Sequence, residues 1–533
     1  MKKLHHIGLL IALVCLATGV ARGQSFRVQC PTSTLTHPVA ANNNLEPAYT
    51  GPTVLASGTK GYLAPSSNVN GAIKCQQISG GDGYATMGDG TQTYMFSFGP
   101  LSGLADIANG QPGTEPPNVF NTLYAGPTLQ PGDPATTVNG GGTFSYNGAV
   151  GLVPNVEANN GSGTGGAPID GHVDPRPIMD VGVMNGNIPA PLMAIDEDDE
   201  FFLTLTNVGM IMRPDLFEQH TVHFHGYPNA SSYYDGVPDA SVAINIGGSF
   251  TYYYLAPDAG TYFWHCHITP PEHLQMGMVG QLYVRPRQNR VPAGSSLYTA
   301  LQAQQTDPRT ACNSAIDILC SNPLPAVVPT SDNRAATGNY AYNDGDGSTY
   351  YDVEYPLQIH GFDPSFHFVG MTFNPEQFVD MKDKYFLLNG RSYPDTVTFG
   401  PLQTESADGK NHFSQPLSSI INITAGQKAL LRISDLDVTE YQTLASLGIP
   451  MKVIAINAKL LRDQAGNNHA YNTNSITLAG GESLDVILDT SIPKPDGTAY
   501  AKGEIYYLYT PNLDHLSNDA ENFGGLMTEV RIN

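Results

Sequence analysis

The sequence predicts an all-β protein made of two β-sandwich blocks. The 533 residues include 56 glycines and 40 prolines, which suit short strands joined by turns better than long helices. Segments with alternating apolar and polar residues, such as EFFLTLTNVG at 200–209, have the period of half-buried strands. The sequence shows neither a long amphipathic helix nor a nucleotide-binding loop. Many short strands with glycine, aspartate and asparagine turns therefore indicate β-sandwiches.

The first residues have the pattern of a secretory signal peptide. Lys2 and Lys3 precede an apolar run over 7–20, and small residues at 21–23 offer a cleavage site. No other apolar run is long enough to span a bilayer. We therefore expect residues 1–23 to be removed and the protein to be exported, to the periplasm or the extracellular space.

The remaining chain divides by composition. The first block contains the predicted strands 91–99, 200–209 and 280–286 and a predicted strand–turn–strand unit over 248–267. It also contains a Gly/Pro/Asn-rich stretch that we expect to form a surface insertion. The predicted boundaries are an N-terminal arm at 24–70, the first block at 71–290 with its insertion at about 105–175, a linker at 291–350 and the second block at 351–533.

The charge balance limits the partners of this protein. With 25 Lys+Arg against 48 Asp+Glu, the formal net charge is −23. A field of this sign repels nucleic acid and anionic membrane surfaces, so neither is an expected partner. The acidic run IDEDDE at 195–200 either attracts a cationic partner or forms a solvated turn before a strand.

The number of cysteines outside the predicted signal peptide is odd, so at least one of them is not in a disulfide within the chain. Apart from the cysteine in the signal peptide there are five, an odd number for an exported chain. If Cys266 is a metal ligand, four remain for two disulfides. The short spacing favours a Cys312–Cys320 pair, which leaves Cys30 with Cys75.

Residues 220–280 contain the donor set of a blue-copper site. His220 lies in QHTVHFHGYP, and FWHCHITPPEHLQMGMVG provides Cys266, His273 and Met278. One thiolate, two imidazoles and one thioether favour copper over zinc. We predict these four residues as type 1 copper ligands, with Met278 preferred to Met276 as the axial ligand.

Strand periodicity predicts a second metal site beside the first. Side chains two residues apart on a strand project to one face, so His223 and His225 share a face, as do His265 and His267. His220 and Cys266 lie an odd step from these residues and project the other way. Six of the 15 histidines fall within these two motifs. Several copper ions per chain are therefore expected.

These motifs, H-x-x-H-x-H-G followed by H-C-H, His and Met, resemble the copper motifs of the multicopper oxidases, the laccase-like family built from cupredoxin domains. GVMNGNIPAP, TLTNVGM and DAGTYFWHCH resemble the surrounding segments, and FLLNGRSYPDT at 386–396 resembles the opening of a second domain. The resemblance implies two cupredoxin-like Greek-key β-sandwich domains. It also implies that the four histidines of the second site, His223, His225, His265 and His267, are type 2/type 3 copper ligands.

The chain departs from the family pattern in the second block. The family's trinuclear cluster uses eight histidines, of which this chain shows four. The segments 441–453 and 506–519 occupy places where ligands are expected and contain no ligand motif. The resemblance therefore implies a homo-oligomer that brings two half-sites together.

The leading functional hypothesis is an exported copper oxidoreductase that passes electrons from a donor through the type 1 copper to a site that reduces dioxygen. The donor is a small molecule or a redox protein, and the sequence does not identify it. One alternative is a blue-copper carrier or copper-binding protein without oxidase activity. Another is a nitrite-reductase-like enzyme, whose type 2 copper would borrow a second-block histidine from these five: His360, His367, His412, His469 and His515.

Overall fold

A computed structural model describes the chain over these ranges: 27–57, 63–126, 146–154, 169–228, 231–307, 322–370, 372, 378–405 and 411–533. The predicted signal peptide lies outside the described residues, and so do Cys312 and Cys320. Within the described part no helix is long and apolar enough to cross a membrane.

The first block is a sandwich of two four-stranded sheets. The strands up to its end are β1 (Val54–Ser57), β2 (Leu63–Ser67), β3 (Ile73–Thr86), β4 (Gln92–Pro100), β5 (Ala190–Asp196), β6 (Glu200–Gly209), β7 (His223–His225), β8 (Ser249–Leu255), β9 (Gly260–His265) and β10 (Val279–Arg285). One sheet has the order β4-β3-β6-β8 and the other β5-β10-β9-β7, while β1 and β2 form a separate hairpin.

The second block has a seven-stranded and a five-stranded sheet. The remaining strands are β11 (Asn339–Tyr340), β12 (Tyr350–Tyr351), β13 (Val353–Phe362), β14 (Tyr385–Leu388), β15 (Leu402–Glu405), β16 (Asn411–Ser414), β17 (Ile421–Ile423), β18 (Lys428–Asp435), β19 (Gln442–Leu447), β20 (Met451–Ile456), β21 (Lys459–Leu460), β22 (Tyr471–Thr473), β23 (Ser475–Leu478), β24 (Glu482–Asp489), β25 (Ile505–Tyr509) and β26 (Met527–Ile532). The sheet orders are β14-β13-β18-β24-β20-β21, with β22 beside β20, and β17-β26-β25-β19-β23.

The two blocks share one topology. The order β4-β3-β6-β8 corresponds to β14-β13-β18-β24, and β5-β10-β9-β7 corresponds to β17-β26-β25-β19. The parallel pairs also correspond: β3 with β6 matches β13 with β18, and β5 with β10 matches β17 with β26. The second block adds β20–β23. The predicted all-β fold with two β-sandwiches is confirmed; the predicted domain boundaries stay a prediction.

Helices are short and lie in the connections. They are α1 (Leu104–Ala108), α2 (Pro117–Phe120), α3 (Pro175–Gly182), α4 (Pro270–Gln275), α5 (Leu297–Gln304) and α6 (Pro364–Gly370). Short 3-10 helices are Ala40–Asn42, Ser232–Tyr234, Arg287–Arg290, Phe378–Asp380 and Asp395–Val397. Helix α4 begins with Pro270-Pro271, because proline at the first helical turn loses no hydrogen bond.

Each sandwich encloses its own apolar core, and a third cluster joins them. The core of the first block includes Trp264 and Cys266. Between the blocks, Phe263 and Val279 of the first pack with Phe362 and Leu436 of the second. The blocks are therefore in direct apolar contact beside β9 and β10.

The N-terminal segment is tied to the first block. Cys30 and Cys75 form the predicted disulfide, and His37 contacts Glu200 at 2.7 Å. Helices α1 and α2 lie in the predicted insertion, and Leu104 and Phe120 pack into a satellite core with the disulfide. The other predicted disulfide falls outside the described residues.

The acidic run at 195–200 is neither a docking surface nor a solvated turn. Glu197, Asp198, Asp199 and Glu200 are all buried. Asp198 pairs with Arg287 at 2.5 Å. Both expectations for this run are wrong, because the arginine lies 89 residues further along the chain and only the fold brings it near.

Candidate metal centres

The first candidate centre surrounds the sulfur of Cys266, directly after β9. The Nδ1 of His273 lies 3.3 Å from this sulfur and the Nδ1 of His220 lies 4.0 Å away. The backbone N–H of Thr221 donates to the sulfur at 3.4 Å. All three candidate ligands are fully buried. Two imidazole nitrogens and one thiol thus face a common point inside the sandwich.

Backbone hydrogen bonds hold the loop that supplies these groups. The N–H of Cys266 donates to the carbonyl of Met278 at 3.2 Å, and the N–H of Met278 donates to the carbonyl of His273 at 2.9 Å. His220 is held against Ile244 by hydrogen bonds of 3.1 and 2.9 Å. The fold therefore brings a residue before β7 together with residues after β9.

The electrostatics favour a thiolate at Cys266. Burial raises the pKa of this thiol, but the charge of His273 and hydrogen bonds from both histidines hold it well below its ordinary value. Burial lowers the pKa of His273, yet the neighbouring thiolate raises it to about 10. Without metal, the thiolate is therefore paired with a protonated His273; copper binding would release that proton and leave a thiolate with two neutral imidazoles.

Burial does not distinguish the two candidates for the axial methionine. Met276 and Met278 are both fully buried and both belong to the core that contains Cys266. The preference for Met278 stays a prediction.

The second candidate centre lies on the opposite face of the same strands. His223 pairs with His265 across β7 and β9. Their ring centroids are 5.3 Å apart, and Nδ1 of His225 lies 3.3 Å from Nε2 of His265. The ring of His267 lies 5.1 Å from that of His223. The structure thus places all four predicted histidines together.

Hydrogen bonds orient two of these rings for metal binding. Nδ1 of His223 lies 2.7 Å from the carbonyl oxygen of Asp235, and Nδ1 of His265 lies 2.8 Å from that of Cys266. A carbonyl oxygen can only accept a hydrogen bond, so these contacts assign the proton to Nδ1 of each ring. The Nε2 atom is then unprotonated and has a lone pair for a metal. Burial lowers the pKa of His223 and lowers that of His265 to about 3. Neutral imidazoles with a preset tautomer fit copper.

The four histidines line one wall of a cavity of about 530 Å³, which we call the histidine cavity. The second block supplies the opposite wall with residues 436–441 and 479–481. Asp437 and Glu440 bring carboxylates, and a Cβ on Gly481 would lie 3.7 Å from the ring of His225. No second-block histidine is among the described residues that line this cavity.

The common topology shows which residues of the second block stand at the positions of the candidate copper ligands. The N–H of Thr510 donates to the carbonyl of Leu526 at 3.0 Å, as the N–H of Cys266 does to Met278. Thr510 therefore stands at the cysteine position and Leu526 at the methionine position. Neither side chain is a copper ligand.

The second block has a histidine, His515, at the position equivalent to His273. The N–H of Leu526 donates to the carbonyl of His515 at 2.9 Å, as Met278 does to His273. The ring of His515 lies 2.9 Å from Oε1 of Gln442 and 2.7 Å from Oε2 of Glu440. Sequence reasoning named His515 only as one of five candidates, because its equivalence depends on this backbone pattern.

The other second-block candidates lie elsewhere. The ring nitrogens of His367 contact the carbonyl oxygens of Tyr94 and Gln275. Nδ1 of His360 contacts the carbonyl of Leu436 at 3.0 Å. His412 is buried and His469 is exposed beside Asp463. The structure does not bring these four together.

A family model described as multicopper oxidase matches residues 170–289. A laccase of Aspergillus fumigatus is 34% identical over 109 residues, which is 20% of this chain and 17% of that protein. A multicopper oxidase of Mycobacterium tuberculosis is 34% identical over 92 residues, 17% of each chain. A copper-containing nitrite reductase of Rhizobium meliloti is 34% identical over 109 residues, 20% of this chain and 26% of that protein. The matches thus span less than a third of these relatives.

Among the solved structures that match this chain is a blue copper oxidase from Nitrosomonas europaea, with a TM-score of 0.42 and 20% identity over 66% of this chain and 79% of that one. A crystal structure of a multicopper oxidase has a TM-score of 0.43 and 13% identity, over 93% and 99% of the two chains. The matched family segment contains all eight candidate ligands. Over residues 170–289 the chain is therefore similar to the family described as multicopper oxidase.

Proposed function

We propose that this protein is an exported copper-dependent oxidoreductase that passes electrons from a donor through a type 1 copper to a second copper site, where dioxygen is reduced. The observation that supports this most strongly is the triplet His265–Cys266–His267. Its sulfur faces His220 and His273, whereas its two imidazoles face the histidine cavity.

In this proposal His220, Cys266, His273 and Met278 hold the type 1 copper, and His223, His225, His265 and His267 hold copper at the second site. Copper supplies the one-electron redox chemistry at the first site and the reduction of dioxygen at the second. The protein supplies binding, orientation and a route between the sites. The backbone joining Cys266 to its two neighbours is a short covalent path for electrons.

The residues around each site control access. The first site is sealed in the core, so an electron donor acts through the surface above it. The second site opens into the histidine cavity, which has room for dioxygen and water.

We propose a small molecule or a redox protein as the donor, and the periplasm or extracellular space as the location. The relatives named laccase and multicopper oxidase support the assignment as a copper oxidoreductase.

We infer that a second copy of the chain completes the copper cluster. The described part of the chain contributes four histidines to the cavity and only oxygen ligands from its own second block. A family cluster with eight histidines requires a second half-site. Native mass spectrometry of the copper-loaded protein should show a homo-oligomer; a monomer with a full trinuclear cluster would contradict this inference.

One purified, copper-loaded sample tests the proposal. Metal analysis should give more than one copper per chain, and electron spin resonance should show a type 1 signal. Oxygen consumption should follow addition of a phenolic or metal-ion donor. A single copper per chain without oxygen consumption would instead identify an electron carrier.

A nitrite-reductase-like enzyme is the second candidate. The cluster His223, His225 and His265 has ligand atoms within 4.8 Å of one another and suffices for one type 2 copper. The Rhizobium meliloti relative supports this candidate, and the fourth histidine, His267, speaks against it. Two coppers per chain with consumption of nitrite, and none of oxygen, would favour it over the oxidase.

A further inference from the structure

Helix α4 carries His273 and is held at its last residue by the second block. Gln275 is fully buried. Its side-chain NH2 donates to Oδ1 of Asp383 at 3.0 Å, and its Oε1 accepts the backbone N–H of Asp363 at 2.8 Å. Its backbone carbonyl lies 2.9 Å from Nε2 of His367. Three second-block residues therefore bind one residue that lies two positions after His273.

The second-block residues are themselves fixed. Asp383 accepts the hydroxyl of Thr439, and the other ring nitrogen of His367 contacts the carbonyl of Tyr94 on β4. Asp383 and His367 are both buried. Buried, bonded groups have little freedom, so they form a rigid support for the end of α4.

This support acts on the segment 266–278, which carries Cys266, His273 and Met278. The loop ends are joined by the backbone hydrogen bond between Cys266 and Met278. Between them, the distance from His273 to the sulfur depends on where α4 lies. The side chain of Gln275 fixes α4 to the second block. Loss of that side chain would free the helix to move relative to the sulfur.

We propose that Gln275 is a positioning residue for the type 1 copper, through which the copper-free second block sets the geometry between His273 and Cys266. This inference rests on the proposed assignment of those two residues as copper ligands. Groups that orient a metal ligand typically change metal affinity by about 10–100-fold when they are removed. The second block thus contributes to the copper site without supplying a ligand.

The test replaces Gln275 by methionine, which keeps the length of the side chain and removes its hydrogen bonds. Gln281→Met is the matched control, because Gln281 is also buried and donates across the same interface, to Arg432 at 2.8 Å and Ser434 at 3.1 Å. In full-length, copper-loaded protein, Gln275→Met should shift the visible thiolate–copper band, change the type 1 spin-resonance splitting, and release type 1 copper to a chelator about tenfold faster. Gln281→Met should leave the band and the splitting as in the wild type.

An unchanged band and release rate in Gln275→Met would overturn the inference, and so would equal changes in both variants. If Gln275→Met does not fold, Asp383→Ala removes the same hydrogen bond from the other side and should shift the band in the same direction; an unchanged band there overturns the inference. The proposed oxidase function fails separately, through absence of oxygen consumption in a wild-type protein that shows the type 1 band. A wild-type protein without that band overturns both.

Discussion

The two β-sandwich blocks share the order of eight strands but differ in their candidate metal ligands. At one position of the first block, His223 faces His265 across β7 and β9. The corresponding pair in the second block is Ala445 and Tyr509, across β19 and β25. One backbone arrangement thus holds candidate metal ligands in the first block and a buried alanine beside a partly buried tyrosine in the second.

The strand arrangement therefore fixes where side chains lie, and the identity of each side chain decides whether it can bind metal. The second block retains the loop geometry around Thr510 and Leu526 but has no thiolate or thioether there. The second block contributes structurally: its residues line the histidine cavity, hydrogen-bond to helix α4 and form a buried ion-pair network. Arg432, which is fully buried, pairs there with Glu354 at 3.0 Å.

The largest expected effect comes from breaking the first block's metal site. Cys266→Ser replaces the thiolate that the type 1 site needs, so the thiolate–copper band should disappear and donor-driven oxygen consumption should fall to background. Thr510→Ser, at the equivalent place in the second block, is the matched control and should leave both unchanged. A Cys266→Ser protein that keeps the band would show that the sulfur is not a ligand.

The next effect concerns the ion-pair network of the second block. Glu354 also pairs with Arg285 of β10 at 2.6 Å, so it bridges the blocks. Glu354→Ala removes the nearer carboxylate from buried Arg432 and leaves it only Asp485 at 3.9 Å, which should lower the free energy of unfolding by up to about 3 kcal/mol. Glu504→Ala removes a surface partner of Lys494, where water screens the pair, and should cost much less. Denaturant unfolding compares the two; equal losses would contradict the distinction.

The same carboxylate should make stability depend on pH. Burial raises the pKa of Glu354, but the charges of Arg432 and Arg285 hold it at about 2, below its ordinary value of 4.5. Because the folded pKa is depressed, the stabilisation is complete above about pH 4.5 and is lost as the pH falls towards 2. The stability difference between wild type and Glu354→Gln should shrink over this window, by about 3 kcal/mol in total. Thermal unfolding at several pH values measures it, and a constant difference would refute the assignment.

The smallest effect concerns an exposed contact between the blocks. Lys459 of β21 lies 3.4 Å from Asp258, and the lysine side chain is 55% exposed. Lys459→Ala should change the unfolding free energy by less than about 1 kcal/mol, and added salt should reduce the difference. A larger, salt-independent loss in denaturant unfolding would show that packing of the lysine stem matters more than its charge.

Much of the candidate site was predictable because strand periodicity is local. The separation of His220 and Cys266 from the other histidines follows from odd and even spacing on a strand, and the structure shows these two groups on opposite faces. The strands at 200–209 and 280–286 were also predicted to within a residue or two. The expected half-burial of 200–209 is wrong, because the polar residues Thr204 and Thr206 are buried as well as the apolar ones.

Other features depend on contacts between distant segments. The burial of Asp198 requires Arg287, and the hydrogen bonds of Gln275 require Asp363 and Asp383. No local pattern marks these residues. Likewise, His515 can be matched to His273 only from the backbone hydrogen bonds around Leu526.

The sequence alone predicts the all-β class, a copper site at the H-C-H motif and the division of the candidate ligands between two sites. These depend on residue identity and on a two-residue period, both of which can be read along the chain. The tertiary structure alone shows that the second block faces the four histidines across a cavity and holds the helix that carries His273. Those relations join residues about 90 or more positions apart, as in the hydrogen bonds of Gln275 and His367, and it is long-range packing that selects them.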